Sequence, residues 1–398
     1  MTTETQPSDQ AKVQSPRMAV WKALLLCLPI LLLSALIPLL SLQSGNPLMI
    51  ISGLAVWILV NVFFVLMLIT GKTHRYRSVL FIMIAIALPL DFIPWMFETY
   101  GSMLLTDETI YSGGASFCPL TMPMVIVPAL VKRVVIFPGT LVGTGTHGIF
   151  SMMALLWLGV SLSIGRGWCS WGCFYGGWDE FFSRLRKKPL IKHKQIDRRW
   201  IYLPFGILLA IVLISALTYE PVYCAWLCPF KLVTEFQAPA TTLAIIQIAI
   251  FILLFIGLVI VLPLLTRRRI QCGLFCPFGA MQSFFNKINI FGVRIDPEKC
   301  SRCEKCIREC PTFSLNEASL DSGKPLMTCT RCAHCIDNCP QGAITYRIKG
   351  TSLKASPTVA RVLYLYPAYF LMAFIGGATI MNGLQRLLML ITTGSMLH

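Results

Sequence analysis

The chain has 398 residues, of which 56% are hydrophobic and only 13% are charged, and its mean hydropathy is +0.69. This composition excludes an ordinary soluble domain. Its formal net charge is +16, and a basic balance of that size raises the question of a nucleic-acid partner.

Apolar runs of about twenty residues recur along the chain, and each is long enough to cross the ~30 Å hydrocarbon layer of a bilayer. They predict an α-helical multi-pass membrane protein with about seven spans, at 19–42, 48–70, 79–97, 148–164, 201–217, 242–265 and 362–382. The stretch 383–398 leaves room for a further partial helix. The predicted divisions are a polar tail (1–17), a transmembrane core (18–287), a polar domain (288–350), and a linker with the last span (351–398).

Positive charge follows every second span. Basic clusters lie at 72–77, 184–199 and 267–269, whereas the intervening loops hold acidic residues such as Glu98 and Glu220. This alternation is what the positive-inside rule produces, and a nucleic-acid surface would need the charge gathered on one face. We therefore expect no nucleic-acid partner. The pattern predicts a bacterial inner (cytoplasmic) membrane protein with its N-terminus and the 288–350 domain in the cytoplasm, and its C-terminus outside.

The polar domain contains two copies of one cysteine motif. They are Cys300-x2-Cys303-x2-Cys306-x3-Cys310-Pro311 and Cys329-x2-Cys332-x2-Cys335-x3-Cys339-Pro340. In this bacterial arrangement the fourth cysteine of each run binds the other cluster. Two [4Fe–4S] clusters are therefore predicted, one on Cys300, Cys303, Cys306 and Cys339, the other on Cys329, Cys332, Cys335 and Cys310. Zinc sites use two C-x2-C pairs with a longer gap, and disulfides are unusual on the reducing side of a membrane. The segment resembles bacterial two-cluster ferredoxins, which implies an inserted α+β domain.

Three C-x3-C pairs lie at the ends of spans, namely Cys169/Cys173, Cys224/Cys228 and Cys272/Cys276. Residues four apart share one face of a helix, so each pair can present two thiolates to one site. Topology puts the first and third pairs on the cytoplasmic side, where they supply the four thiolates of one cubane. We therefore predict a third cluster on Cys169, Cys173, Cys272 and Cys276. The alternatives are two unrelated structural pairs, or reduced thiols that pack helices together.

The second pair is expected on the outer side together with Cys118, and His147 is a candidate fourth ligand there. Two hypotheses stay open for Cys118, Cys224 and Cys228. They hold an outer cluster that carries electrons across the bilayer, or they form a disulfide or redox-active dithiol, which an oxidising compartment favours.

Two residues within the spans, Cys27 and Asp91, lead to different expectations about function. Cys27 has no predicted role, since a small buried thiol is ordinary core material. Asp91 is a candidate for a quinone site, because ionisable groups within spans often mark proton or ligand paths. The alternative for Asp91 is that its side chain reaches the membrane surface or pairs with a neighbouring residue.

From about residue 148 to 345 the motifs resemble the NapH/NosR family of membrane ferredoxins. The resemblance is carried by GWCSWGC, EPVYCAWLCPFK, RRIQCGLFCPFGA and the ferredoxin repeats. The two cytoplasmic C-x3-C-P motifs of that family correspond to Cys169/Cys173 and Cys272/Cys276, although Phe174 stands where the family has proline. The resemblance implies a quinol-dehydrogenase-like electron-transfer subunit with quinone as its membrane partner.

The sequence thus predicts a membrane-bound iron–sulfur protein that relays electrons between a cytoplasmic or quinone pool and a partner redox protein. It is expected to be an electron-transfer subunit rather than a self-contained enzyme. A hypothesis of another class is a maturation or metal-handling factor that delivers electrons to an extracytoplasmic dithiol or metal ion. In that case Cys224 and Cys228 would cycle between thiol and disulfide.

Overall fold

The computed structural model describes residues 18–100, 146–191, 197–218, 222–234, 241–351 and 356–397, and within these ranges the chain is mostly helical. The helices, in chain order, are α1 (Val20–Ser34), α2 (Leu36–Gln43), α3 (Pro47–Thr70), α4 (Thr73–Tyr100), α5 (Thr146–Ile164), α6 (Trp168–Trp171), α7 (Phe174–Arg184), α8 (Arg198–Thr218), α9 (Val222–Trp226), α10 (Lys231–Thr234), α11 (Thr242–Leu254), α12 (Leu262–Thr266), α13 (Pro277–Ile288), α14 (Lys305–Glu309), α15 (Glu317–Asp321), α16 (His334–Asp337), α17 (Pro357–Leu371) and α18 (Gly377–Thr393). Tighter or wider helical turns lie at Gly165–Gly167, Phe255–Val261, Gln271–Phe275 and Met372–Gly376.

Among the described residues, six helical stretches are long and apolar enough to cross a membrane. They are Val20–Gln43, Pro47–Thr70, Thr73–Glu98, Arg199–Thr218, Thr242–Thr266 and Pro357–Thr393. Six of the predicted spans overlap these stretches. The remaining one, 148–164, coincides with α5, which is 19 residues long but is not among the six. The count of seven therefore stays a prediction.

The last helix is longer than the sequence predicts. After the wide turn Met372–Gly376 the helix continues past residue 382 and ends at Thr393. The residues after the predicted span therefore extend that helix instead of forming another one. At about 1.5 Å per residue, its 37 residues reach well beyond the ~30 Å of a hydrocarbon layer.

Two shorter helices double back beside the long ones. In α7, Glu180 accepts a 2.6 Å hydrogen bond from Ser78 near the start of α4, and Gly177 lies against Ala85 further along it. The helix α7 therefore runs antiparallel to α4. The helix α13 packs on α8, where the ring of Phe284 lies 5.5 Å from that of Phe205.

The two strands of a small antiparallel sheet lie before and after the two ferredoxin-type cysteine runs in the sequence. Strand β1 (Phe291–Ile295) pairs with β2 (Ile344–Ile348), with Phe291 opposite Ile348 and Ile295 opposite Ile344. The ring of Tyr346 in β2 stacks at 4.8 Å on that of Tyr364 in α17. The sheet is therefore attached directly to the beginning of the last long helix.

The packing of α7 on α4 yields a testable prediction. A β-carbon at Gly177 would lie 2.6 Å from the Ala85 Cβ and 2.7 Å from the Phe81 carbonyl oxygen. Because that oxygen belongs to the backbone, Gly177→Ala is expected to lower the free energy of unfolding by about 1–3 kcal/mol, the usual cost of overpacking. Thermal unfolding in detergent would measure it.

Gly206 provides the matched control. It also lies within a helix, but a β-carbon added there would have no neighbouring atom within 4 Å. Gly206→Ala should leave stability unchanged or raise it slightly, because alanine favours the helix. Equal losses in the two variants would contradict the close α7–α4 contact.

Candidate iron–sulfur sites

One pocket of the 291–348 segment is lined by cysteines of both runs. Its cysteines are Cys300, Cys303, Cys306 and Cys339, and we call it the first pocket. Cys303 is exposed, and the other three thiols are half-buried. The fourth cysteine of the second run therefore lies with three cysteines of the first run.

A second pocket contains the complementary set, Cys310, Cys329, Cys332 and Cys335. It is more enclosed, with Cys310 only 7% and Cys332 only 8% exposed. The Cys310 Sγ accepts a 3.2 Å hydrogen bond from the Ser314 backbone N–H. The two pockets divide the eight cysteines in the crossed pattern that the spacing predicts.

The two cysteine loops share an unusual backbone conformation. Arg302 and Glu304 in the first run have φ of 51° and 55°, and Arg331 and Ala333 at the equivalent places in the second run have φ of 51° and 64°. Residues other than glycine seldom adopt positive φ, and such residues concentrate at ligand sites. Alternating backbone of this kind turns N–H groups inward around an anion. Both loops thus fit anionic clusters bound through thiolates.

The four cysteines of the first and third C-x3-C pairs lie together in a third location, which we call the membrane site. Cys169, Cys173, Cys272 and Cys276 are between 3% and 7% exposed. Burial, followed by the neighbouring Cys169, raises the pKa of the Cys276 thiol well above its usual value. Iron binding would displace those protons, because thiolate is the ligand form.

Two fully buried arginines surround the membrane site. The Arg269 Nη2 donates to the Cys169 carbonyl oxygen at 2.6 Å and lies 3.3 Å from the Cys272 Sγ. The Arg166 Nη2 donates to the Cys272 carbonyl oxygen at 2.8 Å. Among the described residues, the Nε atoms of both arginines and the Trp168 Nε1 are buried and find no hydrogen-bond partner. These unused donors beside four thiols fit a sulfur-rich anionic group such as a [4Fe–4S] cluster.

Within the described residues, no three His, Cys, Asp or Glu side chains converge closely enough to hold a single metal ion. The cysteines of the first and second pockets instead line cavities.

Asp179 and Glu180 bring carboxylates of α7 close to the membrane site. Burial raises the pKa of Asp179 to about 7, although Arg269 opposes this.

Glu180 is the centre of a buried ion-pair network. Its carboxylate oxygens lie 2.6 Å from Arg77, 3.1 Å from Arg184 and 3.9 Å from Arg269. Burial opposes its ionisation, but Arg77, Arg184 and Arg269 outweigh burial and hold the Glu180 pKa well below its usual range. No motif in the sequence marks Glu180 as a site residue, because its partners lie in segments that are distant along the chain.

The second pocket touches the membrane site through hydrogen bonds. Arg77 donates from Nε to the Cys332 carbonyl oxygen at 3.3 Å and from Nη1 to the Ser170 carbonyl oxygen at 2.7 Å. The Trp171 Nε1 donates to the Arg331 carbonyl oxygen at 3.3 Å. Ser170 and Trp171 lie between the two cysteines of the first pair, so the two cysteine sets are directly neighbouring.

The predicted outer pair packs against the membrane site. The Gln271 Nε2 donates to the Tyr223 Oη at 3.1 Å, and the ring of Tyr175 lies 4.2 Å from that of Phe230. Cys228 is buried and Cys224 is half-buried. Cys118 and the side chain of His147 lie outside the described residues.

Asp91 lies within α4 and has polar neighbours. Its Oδ2 accepts a 3.4 Å hydrogen bond from Asn382. Nearby, Arg386 and Glu98 form an ion pair with a 2.6 Å bond between Nη2 and Oε2. Pairing with a neighbour, the alternative that the sequence left open, is what Asp91 does here, and a quinone at this position stays a prediction.

Comparisons with known proteins agree with these sites. Residues 292–340 match a 4Fe-4S dicluster domain, and three stretches each match a 4Fe-4S binding domain, at 146–192, 200–238 and 248–295. The chain therefore carries 4Fe–4S binding domains together with helices that are long and apolar enough to cross a membrane. Each of the three repeated matches contains one C-x3-C pair.

Among its curated relatives is YccM of Escherichia coli (strain K12), which its name provisionally assigns to electron transport; the two are 25% identical over 42% of this chain and 47% of YccM. Two uncharacterized proteins of Methanocaldococcus jannaschii, MJ0750 and MJ0749, are 25% and 28% identical over 38% and 37% of this chain. The chain spans only about half to three fifths of these relatives, 47%, 61% and 52% respectively. No solved structure matches.

The Glu180 network yields a stability prediction. Glu180→Gln would leave Arg77, Arg184 and Arg269 without their shared counter-charge in a buried setting. Breaking one partner of a buried ion pair costs about 3–5 kcal/mol, so the variant should unfold at clearly lower temperature or denaturant concentration. Asp321→Asn is the control, because Asp321 and its partner Arg302 are 60% and 71% exposed and exposed pairs contribute about 0–1 kcal/mol. Similar losses in both variants would contradict the central role of Glu180.

Proposed function

We propose that the protein relays electrons between a cytoplasmic redox partner and the membrane, with [4Fe–4S] clusters in the first pocket, the second pocket and the membrane site. When bound, such clusters supply one-electron redox chemistry. The membrane partner would be quinone, as in the NapH/NosR-like proteins, and the chain would act as a quinol-dehydrogenase-like electron-transfer subunit.

The observation that carries this proposal is the direct contact of the second pocket with the membrane site. Arg77 joins the Cys332 carbonyl to the Ser170 carbonyl, and Asn286 donates at 2.8 Å to the Cys329 carbonyl while its Oδ1 accepts from the Arg166 N–H. Every one of these bonds is buried or partly buried. If the protein only anchored a partner and its clusters were purely structural, no contact between the two cysteine sets would be needed.

The exposures of the cysteines support an order for the relay. The first pocket opens to solvent at Cys303, whereas the membrane site is buried. A soluble partner would therefore meet the first pocket. The second pocket would connect it to the membrane site, and Tyr223 leads from there towards Cys224 and Cys228, whose role as an outer cluster or dithiol stays open.

The arrangement of basic residues supports a cytoplasmic ferredoxin domain. Arg268 donates at 2.7 Å to the Arg308 carbonyl oxygen of the first cysteine run, and Arg77 and Arg269 lie at the membrane site nearby. These arginines belong to the clusters that the positive-inside rule assigns to the cytoplasm. We therefore include in the proposal an inner-membrane location with the ferredoxin domain in the cytoplasm.

An iron count tests the number of clusters. With Cys224 and Cys228 as a dithiol, anaerobically purified protein should contain about twelve irons per chain, and Cys276→Ser and Cys169→Ser should each contain about eight, because each removes a ligand of the same four-iron cluster. An outer cluster would add about four irons to each of these counts. Cys27→Ser should keep about twelve, since Cys27 is buried within α1 near Asn61, away from the three cysteine sets. About eight irons in the unaltered protein would refute the membrane cluster.

Electron paramagnetic resonance tests the crossed ligand sets. Cys339→Ser should perturb the same reduced-cluster signal as Cys300→Ser, because both line the first pocket. Cys310→Ser should perturb the other signal, together with Cys329→Ser. Pairing of the Cys339→Ser effect with that of Cys329→Ser would show that each run binds its own cluster.

A further inference from the structure

The membrane site is built from two copies of one motif that no cysteine spacing alone reveals. Each copy has an arginine three residues before its first cysteine and a glycine three residues after its second. The copies read Arg166-x2-Cys169-x3-Cys173-x2-Gly176 and Arg269-x2-Cys272-x3-Cys276-x2-Gly279. We call them the two half-sites. In each, the second cysteine is extended, with ψ of 112° or 113°, and directly precedes a helix.

The two half-sites exchange their arginines reciprocally. Arg166 donates to the Cys272 carbonyl and to the Ser283 Oγ, both at 2.8 Å. Arg269 donates to the Cys169 carbonyl at 2.6 Å and to the Ser170 Oγ at 2.8 Å. Each arginine therefore crosses to the first cysteine of the opposite half-site.

The glycines make room for this exchange. A β-carbon at Gly279 would lie 3.2 Å from both the Arg166 Nη2 and the Cys272 carbonyl oxygen. A β-carbon at Gly176 would meet the corresponding pair, the Arg269 Nη2 and the Cys169 carbonyl oxygen. The same three elements thus recur on both sides, which makes the arrangement a feature of the paired site rather than of one loop.

The charges of these arginines require an anion. Both side chains are fully buried, and a buried charge is costly unless it is paired. Glu180 lies 3.9 Å from Arg269 but is shared with Arg77 and Arg184. In the part of the chain that the structure describes, no carboxylate forms an ion pair with Arg166. The groups that act electrostatically on Arg166 are thiols, first Cys169, Cys276 and Cys272 of the membrane site and then Cys329 of the second pocket, and these would carry negative charge as cluster ligands.

We propose that Arg166 and Arg269 are positioning residues that would compensate the charge of a cluster in the membrane site and stabilise its reduced state. This inference rests on the proposed function. Reduction adds one negative charge, which buried positive charge and N–H···S contacts favour. With clusters bound, one electron would pass between the second pocket and the membrane site, so that one site is oxidised as the other is reduced and no bond forms or breaks.

The outer pair provides an internal contrast. The residues three before Cys224 and three after Cys228 are Pro221 and Lys231. The second C-x3-C pair therefore has neither the arginine nor the glycine. The proposed stabilisation of the reduced state by these two arginines does not extend to it.

The test is a redox titration followed by electron paramagnetic resonance, with Arg166 and Arg269 each changed to Gln and to Lys. The membrane-site signal is identified as the one that Cys276→Ser removes. Each Gln variant should disfavour reduction of that site at least tenfold, which is 59 mV for one electron. Each Lys variant keeps the charge and should remain closer to the unaltered protein. Arg331→Gln, which removes a buried arginine beside Cys329, should move the second-pocket signal and leave the membrane-site signal in place.

Iron content decides the case in which a variant fails to assemble. Loss of four irons in the Gln variants but not in the Lys variants would support charge compensation. Loss in both, or an unchanged midpoint in the Gln variants with all irons present, would overturn it. If the unaltered protein itself holds only about eight irons, the proposed membrane cluster fails rather than the role of the arginines.

Discussion

The carboxylate of Glu180 holds together three parts of the chain that are far apart in sequence. It belongs to α7, which follows the first C-x3-C pair, and it binds Arg77 of α4 and faces Arg269, three residues before Cys272. Arg77 in turn contacts the second pocket. Without this negative charge, the buried Arg77 and Arg269 would lie near the partly exposed Arg184 with less to offset their mutual repulsion, which would oppose the close approach of the pockets in the proposed relay.

The same set of charges explains why polar residues are tolerated so near to membrane helices. Backbone that is not helical must find internal hydrogen-bond partners where water is scarce. The arginines supply them, since Arg166 and Arg269 bond the carbonyls of Cys272 and Cys169. The irregular cysteine segments are therefore satisfied by side chains, and the helices α7 and α13 can begin directly after them.

The sequence predicts those parts of the molecule that depend on short-range regularity. Apolar run length located six of the helices, and cysteine spacing gave two sets of four that match the linings of two pockets. It missed the arginine exchange, although the repeated R-x2-C-x3-C-x2-G pattern was present, because the partners lie about a hundred residues apart. The length of the last helix was also underestimated, because polar residues such as Gln385 and Arg386 interrupt its hydropathy. Arg386 is accommodated by Glu98 of α4, a pairing that hydropathy cannot register.

The last helix has a consequence for how the relay can operate. Near its beginning, Tyr364 stacks on Tyr346 of the sheet that encloses both pockets, and Arg361 donates to Thr73 at the start of α4 at 3.0 Å. Near its other end, Arg386 binds Glu98 at the end of α4. The last helix is thus bound to α4 near both of its ends. A domain held in this way is expected to stay in place, so in the proposed relay its redox partners would have to come to it.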